Sequence, residues 1–357
     1  MAHVELKNIT KKFRRHTALS DMSLDIPDGE FFVLLGPTGA GKTTTLRLIA
    51  GLDAPDSGSI AIGGKDVGSW SSAERDVALV FQYYSLYPHY TVRENLEFPL
   101  KSKHRRFTRD EIVARVAKAA KTLRIEHLLE RKTDRLSGGE MQRVSIGRAI
   151  VREPRVFLMD EPLSNLDAKL REILRAELKD LQMKLGATFL YVTHDQVEAM
   201  SMGDKVGILN HGRIVQIGTP HEIYNRPRDT FVATFVGSPA MNLLSAAVRV
   251  GRLIVEPGKL EVPLEGDVAV RAPSGADRVT LGVRSEDVLL GQGGLEGQVY
   301  AVENHGVEKV VTLKVNEHTL KATVPARMAI EVDTTVPFTF NPRKLQFFDA
   351  QTGVNLN

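Results

Sequence analysis

The chain has 357 residues, of which 42% are hydrophobic and 25% are charged, with no cysteine and a formal net charge of +3. This composition is that of a globular protein without disulfides or thiol chemistry, and the length favours two domains over a single hydrophobic core. No apolar run reaches the roughly 18 residues that a spanning helix needs, and the N-terminus does not resemble a signal peptide, so we expect a cytosolic protein. The mild net charge does not favour nucleic acid binding.

Short apolar runs alternate with helical patterns in the first part of the chain, which predicts an α/β domain. Strands are predicted at residues 31–35, 77–81, 156–159 and 189–192. A polar or glycine-rich element follows each of them: the loop 36–43, Gln82, the pair Asp160 and Glu161, and His194. Since ligands bind beyond the carboxyl ends of parallel strands, we expect these elements to form one shared site.

Residues 36–43 read GPTGAGKT and match the phosphate-loop pattern, with a predicted strand before them and a helical pattern after them. The glycines let backbone N–H groups approach phosphates, Lys42 adds a positive charge near the outer phosphates, and the Thr43 hydroxyl is a ligand for Mg²⁺. We therefore expect nucleotide contacts from Gly36, Pro37, Thr38, Gly39, Ala40, Gly41, Lys42, Thr43 and Thr44.

A mainly helical insert is predicted at about residues 88–155. Thr108 and Glu111 form a capping-box pattern, followed by an apolar helical face of Ile112, Val113, Val116, Ala119, Ala120 and Leu123. The aromatic tract 83–88 (YYSLYP) follows Gln82 directly and indicates either surface recognition or core filling. The basic stretch 101–109 is interpreted as a solvated loop, with contact to anionic headgroups as the alternative.

Ser137, Gly138 and Gly139 open a helix after Leu136, in the sequence LSGGE. Free N–H groups at a helix start attract anions, so this turn predicts a second phosphate contact; the alternative is an ordinary helix N-cap. Asp160 ends an apolar strand, where its carboxylate is suited to holding Mg²⁺ through water, while Glu161 is suited to polarising an attacking water. The alternative for these two acids is a solvated strand end.

The pattern changes after about Pro239 to short strands separated by glycine and proline, which indicates a small β domain. Its strands are predicted at residues 253–255, 279–283, 298–302, 310–315 and 338–340. We expect a first domain at residues 1–236 and a second at 237–357.

Three segments resemble the conserved regions of ATP-binding cassette (ABC) ATPases. LSGGEMQR at residues 136–143 is similar to the signature, VFLMDEPLSNLD at 156–167 to Walker B with the D-loop, and YVTHD at 191–195 to the switch-histidine region. The resemblance implies a P-loop ABC-type nucleotide-binding domain with a helical subdomain, ATP and Mg²⁺ as cofactors, and ATP hydrolysis as the activity.

The resemblance also implies roles for individual residues. Glu161, His194 and Gln82 would be catalytic, Thr43, Gln82 and Asp160 would hold the metal, and Phe13 would stack on adenine, although a core aromatic is the alternative for Phe13. Two copies would pair head to tail, with ATP between the phosphate loop of one copy and Ser137, Gly138 and Gly139 of the other. Asp167 would couple the two sites.

Longer segments resemble the ATPase subunits of carbohydrate-uptake importers, the group that contains the maltose-transporter ATPase. They are residues 80–95, 216–227, 231–242 and, in the C-terminal part, LGVRSEDV at 281–288. This implies an OB-like regulatory domain, two transmembrane permease partners, an extracytoplasmic solute-binding protein, and a location at the cytoplasmic face of the membrane. Met141, Tyr84, Tyr90 and Ser285 depart from residues common in the group, without removing a catalytic group.

Three other functions stay open from the sequence. The same motor serves importers of polyamine, sulfate or ferric ion, although the segment GSPAMN favours sugar. ABC ATPases also act on nucleic acid or ribosomes, but those carry long coiled-coil insertions or two cassettes in one chain, and this sequence has neither. The third is a regulator whose C-terminal domain binds a signalling protein, a role compatible with transport.

Overall fold

A computed structural model describes residues 2–102, 107–257, 260–263 and 277–357. Residues 103–106 of the predicted basic stretch lie outside this part of the chain. The chain divides into two compact units, Met1–His221 and Glu222–Asn357. This division falls before the predicted boundary at residues 236 and 237, because the segment 230–236 hydrogen-bonds within the second unit, for example from Thr230 N to Gly353 O at 2.9 Å.

The first unit combines a parallel sheet, an antiparallel sheet and helices. Its elements in chain order are β1 (Val4–Phe13), β2 (His16–Ile26), β3 (Phe31–Leu35), α1 (Lys42–Ile49), β4 (Ser57–Ile62), β5 (Lys65–Asp66), β6 (Val77–Val80), α2 (Val92–Glu97), α3 (Arg109–Leu123), α4 (Gly138–Ile150), β7 (Val156–Asp160), α5 (Ala168–Leu185), β8 (Thr188–Thr193), α6 (Gln196–Met202), β9 (Lys205–Asn210), β10 (Arg213–Gly218) and α7 (Pro220–Asn225), which crosses into the second unit.

The central sheet has the order β10-β9-β3-β8-β7-β6, with β10 antiparallel to β9 and the other pairs parallel. Every residue of β3 and β8 is buried, which explains their continuous hydrophobic runs. All four predicted strands are confirmed, with ends shifted by one residue in β6, β7 and β8. Phe81 lies outside β6 and is 41% exposed.

An antiparallel sheet of order β2-β1-β4-β5 packs its buried side chains into the same core as the central sheet. Leu46 and Ile49 of α1 also belong to this core. Helix α1 is thereby fixed directly behind the loop 36–41.

The helical insert contains α2, α3 and α4 with short 3-10 turns at Phe98–Leu100, Glu126–Leu128 and Thr133–Arg135. The predicted capping box is confirmed, since Glu111 N donates to Thr108 Oγ1 at 3.3 Å and Thr108 N to Glu111 Oε2 at 2.7 Å. The predicted apolar face is wrong at Val113, which is 48% exposed, because the buried stripe of α3 begins one turn later at Val116. No helix within the described ranges combines the length and apolar character needed to cross a membrane.

The second unit is built mainly from two antiparallel sheets around one core. Its further elements are α8 (Thr230–Phe235), β11 (Asn242–Arg249), β12 (Arg252–Val255), β13 (Leu260–Pro263), β14 (Arg278–Val283), β15 (Val288–Asn304), β16 (Glu308–Val315), β17 (His318–Pro325), β18 (Thr335–Phe340) and β19 (Gln346–Asp349). The sheet orders are β13-β12-β11-β14-β19 and β17-β16-β15-β18. The predicted β domain is confirmed, and each predicted strand lies within an observed one.

Arg284, in the segment that follows β14, is buried among backbone carbonyls. Its guanidinium donates to Ala233 O at 3.0 Å, to Tyr224 O at 2.8 Å and to Val236 O, and lies 4.1 Å from the centroid of the Tyr224 ring. Burial lowers the pKa of Arg284, and burial together with a hydrogen bond to Glu286 raises the pKa of Tyr224 to about 12. Arg284 therefore ties α7 and α8 to the β domain.

Replacing Arg284 by Gln should destabilise the second unit by about 2–4 kcal/mol, because buried carbonyl groups lose their charged donor. Urea unfolding followed by circular dichroism measures this change, while the fluorescence of Trp70, the only tryptophan, follows the first unit separately. Arg278→Gln is the matched control, since that side chain is 69% exposed. An unchanged urea midpoint for Arg284→Gln would contradict the stabilising role assigned to the Arg284 contacts with α7 and α8.

Candidate functional site

The loop 36–41 joins β3 to α1 at the carboxyl edge of the central sheet. Gly41 is the N-cap residue of α1 with φ at 110°, and a Cβ there would lie 2.6 Å from Ala18 O. Only glycine satisfies both constraints, so the start of α1 can pack closely against β2 at this point. The first N–H groups of α1 consequently face the same edge as the ends of β6, β7 and β8.

Lys42 is almost completely buried at the start of α1, with 6% of its side chain exposed. Its ammonium nitrogen donates to Gly36 O at 3.0 Å and to Pro37 O at 3.1 Å, and lies 3.4 Å from Glu161 Oε1. Carbonyl oxygens of the loop thus hold a positive charge at the edge of the sheet, close to a carboxylate from the end of β7.

Thr43 and Asp160 meet across the same edge, where Thr43 Oγ1 donates to Asp160 Oδ1 at 3.1 Å. Burial raises the pKa of Asp160, the hydrogen bond from Thr43 lowers it, and the neighbouring Glu161 raises it further. A hydroxyl and a partly desolvated carboxylate are oxygen donors of the kind that Mg²⁺ prefers. The residues therefore fit a hard divalent cation.

Glu161 links the phosphate loop to the end of β8. Its Oε1 faces the Lys42 ammonium, and its Oε2 lies 2.8 Å from His194 Nδ1. The backbone of Glu161 is left-handed, with φ at 44°, and its N–H donates to Val192 O at 2.9 Å. Such a conformation costs about 1–3 kcal/mol for a residue with a side chain, so the surrounding structure must hold it.

Gln82 contacts the segment that follows Glu161. Its Nε2 donates to Ser164 Oγ at 3.2 Å, Ser164 Oγ donates to Glu161 O at 2.9 Å, and Asn165 Nδ2 donates to Gln82 O at 3.0 Å. Ser164 and Asn165 were not predicted as site residues. Their only signal was their position between Glu161 and Asp167, because neither residue type indicates a contact with a glutamine 82 or 83 positions earlier.

The Ser137–Gly139 turn lies at the start of α4. Ser137 is exposed and forms a capping box: Glu140 N donates to its Oγ at 3.4 Å, and its own N–H donates to Glu140 Oε2 at 2.7 Å. A Cβ on Gly139 would lie 2.5 Å from Leu170 Cδ2, so this glycine allows α4 to approach α5. Among the described residues, no hydrogen bond joins Ser137 to the loop 36–43. Within one chain the two predicted phosphate contacts are separate.

Two further predicted residues lie outside the group around Glu161. Phe13 ends β1, is 43% exposed, and its ring centroid lies 5.2 Å from Lys11 Nζ. Asp167 caps α5, with Oδ1 accepting from Leu170 N at 2.9 Å. An exposed aromatic at a sheet end is available to stack on a planar ligand, and Asp167 fixes the start of a helix.

Family models match most of the chain: the "ABC transporter" model matches residues 19–164, the "MalK OB fold domain" 237–288 and the "TOBE domain" 281–348. The trehalose/maltose import ATP-binding protein MalK of Thermococcus litoralis is 46% identical in an alignment of 376 positions that covers 99% of each chain.

The chain belongs to the ABC transporter family. It binds ATP, and its enzymatic activity is ATP hydrolysis in an ABC importer. The sn-glycerol-3-phosphate import ATP-binding protein UgpC of Ruegeria pomeroyi is 45% identical in an alignment of 358 positions that also covers 99% of each chain. The solved dimeric post-hydrolysis state of the ATP-binding cassette MJ0796, bound to ADP and Pi, matches 61% of this chain and 98% of its own, with 33% identity and a TM-score of 0.55. The predicted fold, a cassette followed by an OB-like domain, is confirmed.

Replacing Asp160 by Asn should stabilise the protein at neutral pH while abolishing ATP hydrolysis. Because the pKa of Asp160 is raised in the folded chain, ionisation of its carboxyl group destabilises the fold. This destabilisation is absent at pH values below the pKa of the unfolded chain, where the group is protonated in both states, and is complete at pH values above the raised pKa of the folded chain. Thermal unfolding without nucleotide and with a chelator should show a higher midpoint at pH 7, equivalent to at most about 1 kcal/mol. The gain should vanish in acid; a lower midpoint at pH 7 would contradict it.

Proposed function

We propose that this chain is the ATP-hydrolysing motor subunit of an importer that takes up a carbohydrate through membrane permease partners. The observation that carries the proposal is the position of the Glu161 carboxylate, between the Lys42 ammonium at 3.4 Å and the His194 imidazole at 2.8 Å. A carboxylate held beside a phosphate loop is placed to accept a proton from the water that attacks the terminal phosphate.

Each residue of this group has a separate task in hydrolysis. Lys42 and the N–H groups of the loop bind the outer phosphates, Glu161 orients and polarises the attacking water, and His194 holds the Glu161 side chain in place. Thr43 and Asp160, with Gln82, would hold Mg²⁺, which neutralises charge on the phosphates. Phe13 is placed to stack on the adenine.

We further propose that two copies pair head to tail, so that Ser137, Gly138 and Gly139 of one copy complete the phosphate site of the other. The exposure of Ser137 and its separation from the loop 36–43 support this assignment, since the helix start is available to a ligand from outside the chain. The solved cassette MJ0796 is a dimer. Asp167, at the start of α5, would couple the two sites.

The aromatic tract 83–88 is the proposed contact with the permease. Tyr83 is 74% exposed, whereas Tyr87 is anchored: its ring centroid lies 4.2 Å from that of Phe98, and the Arg148 guanidinium lies 4.8 Å from it. A groove of about 340 Å³ opens between this tract and Thr133, Asp134 and Met141. One side of the tract is thus fixed to the helical insert while the other faces outward, as a coupling surface requires.

The cargo is inferred from the relatives, whose names specify import of trehalose/maltose and of sn-glycerol-3-phosphate. We propose two permease subunits and an extracytoplasmic solute-binding protein as further components, with this chain at the cytoplasmic face of the membrane. We place the second, regulatory domain at residues 237–357, where the MalK OB fold model begins to match.

Glu161→Gln should lower the rate of ATP hydrolysis by at least about a hundredfold, because the amide cannot accept the proton of the attacking water. ATP binding should persist, and the variant should accumulate as an ATP-bound dimer. Phosphate release and light scattering with ATP measure the two properties. Glu172→Gln, at an exposed position of α5, is the control. Turnover near the wild-type rate would remove Glu161 from its assigned role.

Deleting the gene should abolish uptake of one carbohydrate, and only the wild type, not Glu161→Gln, should restore it. The test uses labelled oligosaccharides, glycerol phosphates, spermidine, sulfate and iron in the source cells. Loss confined to polyamine or ion would keep the motor and overturn the cargo class. If the deletion strain took up every solute as fast as the source cells, the proposal that this chain is required for import would be contradicted.

A further inference from the structure

Arg171, one turn into α5, lies between two segments that border the site. Its Nη1 is 3.2 Å from Asp195 Oδ2, and its Nη2 donates to Leu166 O at 3.1 Å and to Ser164 O at 3.4 Å. The side chain is only 30% exposed, and its buried Nε makes no hydrogen bond with any described residue. One guanidinium thus spans the residue after His194 and the loop before Asp167.

Two of these three partners of Arg171, Asp195 and Ser164, are joined in turn to groups at the site. Asp195 follows His194, and its other oxygen, Oδ1, caps α6 by accepting from Val197 N at 2.7 Å and from Glu198 N at 3.2 Å. Ser164 accepts from Gln82 and donates to Glu161 O. The contacts therefore form a closed ring that passes through Glu161, His194, Asp195, Arg171 and Ser164.

The chemistry of this ring requires a cation with several donors. A carboxylate and two backbone carbonyls converge on one point, and all of them are acceptors. An arginine satisfies them together because its planar fork carries five N–H groups, whereas a lysine is a single point charge. Without the cation, the carboxylate and the carbonyl dipoles would repel each other and the two segments would separate.

We propose that Arg171 is a positioning residue for ATP hydrolysis, which fixes the segment 164–167 relative to His194 and Asp195. This inference rests on the proposed function. Arg171 contacts neither Lys42 nor Glu161 in the hydrogen bonds of the described chain, so it acts through the residues it holds. The position of Asp167 thereby depends on the position of His194. The groups assigned to the attacking water, Glu161 and His194, are in this way physically linked to Asp167, the residue assigned to coupling the two sites.

Steady-state ATP hydrolysis by the purified full-length protein tests the inference. Arg171→Gln should lower kcat by at least about tenfold, because small misplacements of catalytic groups are costly, while KM for ATP stays within about twofold. Arg171→Lys should have an intermediate kcat, since it keeps the charge and loses the fork. Arg175→Gln, one turn later on α5, should match the wild type. Equal activities of Arg171→Gln and wild type would overturn the inference, as would a rise in KM that alone explains the loss.

A second variant tests whether Arg171 acts through Asp195. Asp195→Asn keeps an oxygen for the cap of α6 but removes the negative charge, so its kcat should fall to a similar level. If the two residues act as one unit, the double variant should be no slower than the slower single variant, within about twofold. Multiplied effects in the double variant would show independent roles and would overturn the coupling.

Hydrogen exchange without nucleotide separates this inference from the proposed function. In Arg171→Gln the amides of Ser164, Leu166, Val197 and Glu198 should exchange at least about tenfold faster than in the wild type, because the segments that hold them lose their common partner. Failure of the wild type to hydrolyse ATP would overturn the proposed function. Unchanged amide exchange in Arg171→Gln would overturn the linkage through Arg171 independently, because this measurement uses no ATP.

Discussion

The site depends on one carboxylate that is shared between an ammonium and an imidazole. Glu161 can meet Lys42 and His194 together only because β7 and β8 pair in a fixed parallel register, in which Asp160 lies opposite Val192. The hydrogen bond from Glu161 N to Val192 O then holds the left-handed backbone that follows the strand. The parallel sheet therefore sets the geometry of the chemistry, and the loops only supply its groups.

The same register explains how much of the site was predictable from the sequence. Parallel strands that are buried on both faces have continuous apolar runs, so the ends of β3, β7 and β8 could be located, and the residues after them assigned to one edge. The contacts made by Ser164, Asn165 and Arg171 could not. They depend on the path of an irregular loop, and irregular backbone leaves no periodic signal in the sequence.

The fold shows the same limit in two places. The antiparallel sheet of the first unit was not predicted, because register shifts in β1 between Leu6 and Lys12 break the alternation of buried and exposed residues. In the second unit β15 extends over 17 residues, with register irregularities between Leu290 and Leu295 and between Val299 and Ala301, and only residues 298–302, next to which burial alternates, were predicted as a strand. A sequence pattern therefore locates the residues whose burial alternates regularly, and it misses strand residues where register shifts break that alternation.

Several features of the site lower the stability of the free protein. Lys42 is buried, Glu161 is held in an unfavourable backbone conformation, and burial raises the pKa of Asp160. The Lys42 ammonium would gain phosphate oxygens as further charged partners, and a divalent cation would neutralise the Asp160 carboxylate, so these two features become less unfavourable in the bound site. Binding of nucleotide and metal should therefore stabilise the fold relative to the free protein. The ring through Arg171 joins the site to the loop that carries Asp167. A change in the site on nucleotide binding can therefore alter the position of that loop, as a motor subunit requires.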